Sequence, residues 1–93
     1  MFTFVETKLF TRLVQESLTD DEYAAVQREL IANPEAGSVI RGSGGIRKLR
    51  VAAPGRGKRG GYRLIYFVRR PKQLIWMLTI YPKNVAESIP THV

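Results

Sequence analysis

The chain has 93 residues, 44% hydrophobic and 25% charged, a composition that argues against disorder and suits one domain over residues 1–93. It has no cysteine, which excludes disulfides, thiolate metal sites and a thiol nucleophile. The net charge of +7 is unevenly spread: residues 1–40 hold three basic and seven acidic side chains, residues 41–93 twelve basic and one acidic, Glu87. Between Arg41 and Lys72 there are eleven Lys or Arg and no Asp or Glu. So unneutralised a block implies a polyanionic partner, nucleic acid before an acidic protein and an anionic membrane last.

The N-terminus, Met1 to Glu6, has neither a basic region nor a long apolar run, so no secretory signal is expected. Phe2 to Val5 suits a first strand. From Thr7 the pattern becomes helical, with Leu9, Phe10, Leu13 and Val14 forming one apolar stripe. A second helix opens at Thr19, a good N-cap, with Glu22 completing a capping box and Leu18 able to staple onto Tyr23. Asp20, Asp21 and Glu22 set negative charge against the positive end of the helix dipole. Tyr23, Val26 and Leu30 make its buried face, and Asn33-Pro34 ends it. The acidic residues of this helical hairpin are read as caps and solvated faces.

Beyond Gly37 the pattern is β. Ile46 to Ala52, Tyr62 to Val68 and Leu74 to Tyr81 are strand-like, rich in branched and aromatic residues. The short link Arg69 to Gln73 makes an antiparallel hairpin of the last two. The expected architecture is α+β, an N-terminal helical hairpin packed on one face of an antiparallel sheet. Its longest strongly apolar stretch, Leu74 to Tyr81, is too short to span a bilayer, so a membrane is not an expected partner and the cytoplasm is the expected location.

Charge meets geometry in Ile46-Arg47-Lys48-Leu49-Arg50-Val51. Strand alternation puts Lys48 and Arg50 on one face, roughly 6.6 Å apart, and turns Leu49 and Val51 towards the helices. Arg63 lies on the next strand among apolar neighbours. A rim salt bridge and a phosphate contact are both open to it, but the basic half has almost no carboxylate to offer. Arg47, Arg56, Lys58 and Arg59 are further candidates for contact with an RNA backbone. The segment Gly55 to Gly60 spells G-x-G-x-x-G, but it precedes a strand where the dinucleotide fingerprint must follow one and open a helix.

The inventory narrows the chemistry. The only histidine, His92, is the penultimate residue, and no metal-ligand spacing occurs, so no metal or cofactor is expected. Cleavage by such a chain has to rely on Lys, Arg and Tyr. RNA suits that limit, because its own 2′-hydroxyl is the nucleophile. Crowding among cations favours the neutral form of a lysine, which would let it act as general base.

Phe4-Val5-Glu6, Leu18 to Tyr23 and Asn33 to Gly37 resemble the N-terminal half of HigB-type toxins of the RelE superfamily. So do Gly42 to Arg50, Gly57 to Gly61 with Arg63, and Leu78 to Tyr81 with Lys83-Asn84, in the family's order. The resemblance implies a RelE-like microbial ribonuclease fold and the toxin of a type II toxin–antitoxin pair. It implies cleavage of mRNA in the ribosomal A site, neutralisation by a cognate antitoxin, and contact with operator DNA only through that antitoxin. It also implies a catalytic set. The family's basic i, i+2 pair matches Lys48 and Arg50, its Arg in a G-x-R context matches Arg63, and its basic residue after the last strand matches Lys83. Asn84 stands where some relatives have Arg, and Pro90 discourages the C-terminal helix that others carry.

Three functions fit: a ribosome-dependent mRNA endoribonuclease, a ParE-like topoisomerase poison, and a non-catalytic nucleic-acid-binding module. The last two strands are apolar on both faces while one helical hairpin covers one. An apolar surface rimmed by Arg and Lys is therefore expected, suited to an acidic partner with apolar anchors.

Overall fold

The computed structural model describes residues 1–52 and 61–84. Its elements are β1 (Thr3–Glu6), α1 (Lys8–Ser17), α2 (Asp20–Ala32), β2 (Ser38–Val39), β3 (Arg47–Val51), β4 (Tyr62–Arg69) and β5 (Leu74–Pro82). A turn of 3-10 helix, Arg70–Lys72, joins β4 to β5, with Gln73 in the left-handed region at φ 53°.

Both helices start where their caps dictate. Thr7 Oγ accepts the Phe10 amide at 3.0 Å, and its hydroxyl donates to the Leu78 carbonyl at 2.9 Å, tying α1 to the sheet. The capping box of α2 is complete: the Glu22 amide donates to Thr19 Oγ at 3.1 Å, and the Thr19 amide donates to Glu22 Oε1 at 2.8 Å. Phe10, Val14, Leu18, Val26 and Leu30 meet Leu49, Leu64, Tyr66, Ile75 and Met77 in one core. Leu9, expected in the helical stripe, is 46% exposed instead, because the core-facing arc of α1 is centred on Phe10 and Val14.

The sheet has the order β1-β5-β4-β3-β2. The β3–β4 and β4–β5 pairs are antiparallel as expected. The sheet as a whole is mixed, because β1 adds to its far edge parallel to β5, with Phe4 opposite Ile75. A parallel neighbour needs a long crossover, and here the rest of the fold supplies it.

The register slips between Ile65 and Tyr66: Ile65 faces Thr79 but Tyr66 faces Met77, so Leu78 is an extra residue on β5. The bulge resets the alternation of that strand. Ile75 and Met77 before it and Ile80 after it all enter the core, and Tyr81 emerges on the face the helices leave open. No helix among the described residues is long and apolar enough to cross a membrane.

Candidate nucleic-acid interface

A turn rich in glycine delivers β3. Ser43 Oγ donates to the Ile40 carbonyl at 2.6 Å and accepts the Ile46 amide at 3.0 Å, while Gly42 and Gly44 take φ of 74° and 80°. The alternation that follows is as the residue types require: Leu49 and Val51 are buried, Lys48 and Arg50 exposed. On β4, Arg63 stands directly opposite Arg50, and Tyr81 of β5 stands opposite Arg63. Lys48, Arg50, Arg63 and Tyr81 therefore share the open face. Two like charges opposite each other in a sheet repel, so this arrangement is unfavourable until an anion joins it.

Strand β2 pairs only with Arg47 and Lys48, so it leaves the β3 edge before Arg50. A cleft of about 570 Å³ opens there, lined by Lys48, Leu49, Arg50 and Arg63 of the two strands together with Ser38, Ala36 and Glu29. Among the described residues, none of the three cationic side chains has a hydrogen bond or an ion pair.

Arg47 is different. It belongs to the helix-facing parity of β3, with Leu49, and its guanidinium donates to the Gly37 carbonyl at 2.6 Å and the Glu35 carbonyl at 3.4 Å. The guanidinium that the sequence offers to an RNA backbone is thus also held, through one of its nitrogens, by the protein's own carbonyls. Around it the chain is tightly held. Tyr66 Oη accepts the Gly37 amide at 2.9 Å and donates to the Pro34 carbonyl at 2.7 Å, and burial pushes its phenol above the usual range. A Cβ at Gly37 would lie 2.8 Å from the Lys48 carbonyl oxygen, so only glycine lets the segment approach β3. Arg70 binds the Glu35 carboxylate at 2.6 Å and holds its pKa below the ordinary value.

Lys83 is exposed and lies two residues past Tyr81; its amide donates to the Gly61 carbonyl at 3.1 Å, at the same end of the sheet as Arg63. Arg56, Lys58 and Arg59, the Gly-rich segment around them, and Pro90 and His92 lie outside the described residues. Among the described residues no group of three or more His, Cys, Asp or Glu is placed to hold a metal ion. The open face also carries Phe67 opposite Trp76, the latter 36% exposed, an aromatic pair beside the cations.

Glu29 and Tyr81 were not singled out by sequence reasoning. Tyr81 follows from alternation only once the bulge is known. Glu29 has no local signal, since it is an ordinary exposed helical carboxylate until α2 is laid against β3.

The model of the family described as the RelE toxin of the RelE/RelB toxin–antitoxin system matches residues 3–92. Among solved structures the chain is similar to a mutant of the E. coli toxin RelE in the free state. The TM-score is 0.67 at 18% sequence identity, over 92% of this chain and 87% of that one. At that identity the likeness speaks for the fold.

Proposed function

The chain belongs to the RelE toxin family of the RelE/RelB toxin–antitoxin system, and from that premise we propose that it is a HigB-type, metal-independent endoribonuclease that cleaves mRNA in the ribosomal A site. One observation carries the reading: Lys48, Arg50 and Arg63 line a single cleft with no protein anion bound to any of them among the described residues. Cations left uncompensated at a sheet edge suit a phosphate whose charge grows in the transition state.

In this mechanism the RNA 2′-hydroxyl attacks the adjacent phosphorus. The 2′-O–P bond forms, the P–O5′ bond breaks, and a 2′,3′-cyclic phosphate and a 5′-hydroxyl result. A basic side chain takes the 2′-proton and a proton returns to the leaving oxygen. Lys48, Arg50 and Arg63 hold the phosphate, and Lys83 serves the leaving group or the neighbouring phosphate. The whole chain, 1–93, acts as one toxin domain in the cytoplasm. Its antitoxin is an acidic protein whose apolar anchors suit the open face around Trp76 and Phe67, and operator DNA is met through that antitoxin.

Mapping the 5′ ends of cellular mRNA after induction tests the reading. The expected outcome is new in-frame cuts with 5′-hydroxyl ends, insensitive to chelator on ribosomes kept intact, and suppressed when the antitoxin is co-expressed. Growth arrest with unchanged mRNA and broken DNA would overturn it in favour of a topoisomerase poison. Unchanged mRNA and DNA would leave a binding module.

A further inference from the structure

Among the described residues the cleft holds one carboxylate, and it comes from the acidic half of the chain. Glu29 lies one residue before the buried Leu30 on α2, so the helix turns it off the core and along the β3 edge. It lines the same cleft as Lys48, Arg50 and Arg63, yet forms no ion pair with any of them. A carboxylate there repels phosphate and weakens the cleft for a bare polyanion. Its charge acts at a distance on the Tyr66 phenol, but it makes no short contact with any of the three cations. It is exposed, and among the described residues its side chain meets no hydrogen-bond donor.

An ionised carboxylate only accepts hydrogen bonds. The part of a nucleotide that offers donors is the base edge. Guanine presents two adjacent donors on its Watson–Crick edge, N1–H and the N2 amino group, matching the two carboxylate oxygens. Cytosine and adenine present one amino group beside an acceptor nitrogen, and uracil one N–H between two carbonyls. Single-stranded RNA is read through such unstacked edges.

Resting on the proposed ribonuclease reading, we propose that Glu29 is a specificity-determining residue that accepts the Watson–Crick donors of a guanine beside the scissile phosphate. The phosphate lies on the Lys48–Arg50–Arg63 wall and the base turns around the β3 edge to α2. Ser38, paired opposite Lys48, also lines the cleft.

The test uses the full chain on ribosomes programmed with an mRNA library of randomised codons, with the bases flanking each cut counted by sequencing. Wild-type protein is expected to enrich guanine at one flanking position and to disfavour uracil there. In Glu29→Gln, whose amide both donates and accepts, the guanine-over-uracil ratio at that position is expected to fall about tenfold, within the range of one lost bidentate base contact. A circular dichroism melt checks that the variant folds. A wild-type profile without guanine enrichment overturns the inference whatever the variant does. So does an unchanged ratio in a folded Glu29→Gln, and so does loss of cleavage at all four bases alike, which would make Glu29 part of the chemistry. Absence of cleavage by the wild-type protein would strike the ribonuclease reading itself, a different result from any of these.

Discussion

Two neighbouring parts of this sheet treat positive charge in opposite ways. Around residues 34–38, Arg47 is bound by the Gly37 carbonyl and Arg70 by the Glu35 carboxylate, with Tyr66 Oη bridging Gly37 and Pro34 beneath them. One residue further along β3, Lys48 and Arg50 are exposed, with Arg63 opposite Arg50 and, among the described residues, no protein anion bound to any of the three. Both regions are equally basic in sequence. The difference shows that charge density alone does not decide how a cation is used: the fold matches it in one region and, among the described residues, leaves it unmatched in the other. In the first region the cations hold a connecting segment against the sheet, which shapes the wall of the cleft. In the second, under the proposed function, they bind the RNA phosphate.

The comparison breaks most visibly if the uncompensated cations are removed. Lys48→Ala and Arg63→Ala are each expected to lower the rate of ribosome-dependent mRNA cleavage about 100- to 1,000-fold, the scale of one lost transition-state donor. Neither side chain holds a partner in the fold among the described residues, and Arg63→Ala relieves the repulsion with Arg50. The melting temperature should therefore stay level or rise slightly. Cleavage rates beside thermal melts decide it; a folded single variant at full rate removes that residue from the site.

The matched region should show the reverse. Tyr66→Phe deletes the donor to the Pro34 carbonyl and leaves the buried Gly37 amide without its acceptor. An unsatisfied buried amide costs about 1–3 kcal/mol, so chemical denaturation should show a loss of that order with an unchanged slope. A loss within the error of the extrapolation would mean that the segment is held by Arg47 alone.

This contrast also separates what could be read in the sequence from what could not. The capping box at Thr19 and Glu22, the two antiparallel pairings from β3 to β5, and the shared face of Lys48 and Arg50 all follow from local rules, because caps and alternation need only a few adjacent residues. The parallel pairing of Phe4 with Ile75 joins positions 71 residues apart, and nothing in a four-residue strand names its neighbour. The extra residue at Leu78 is one more aliphatic in an aliphatic run, so the face on which Tyr81 emerges was not legible. Arg47 and Lys48 look alike in the sequence; only the approach of Gly37 to β3 decides that one of them also binds carbonyls of the fold. Glu29 is the same case from the acidic half, since its meaning depends on which edge α2 borders.

The smallest effect sharpens the comparison from the acid side. Arg70 holds the Glu35 carboxyl below its ordinary pKa through a direct hydrogen bond and through its charge, with a lesser contribution from Arg47. A carboxyl with a depressed folded-state pKa stabilises the fold fully above its unfolded value, about 4.3, and loses that contribution as pH falls through the folded value. The stability difference between wild-type protein and Arg70→Ala should therefore be level near neutrality and shrink below about pH 4. Both partners are more than half exposed, so the pair is screened by solvent and salt, and the difference should also narrow at about 1 M salt. Denaturation midpoints of the two proteins across pH and salt measure it directly. A difference that persists unchanged into strong acid would assign the role of Arg70 to packing of the β4–β5 turn. The matching of cation to anion in this region would then be a consequence of the fold and not one of its supports.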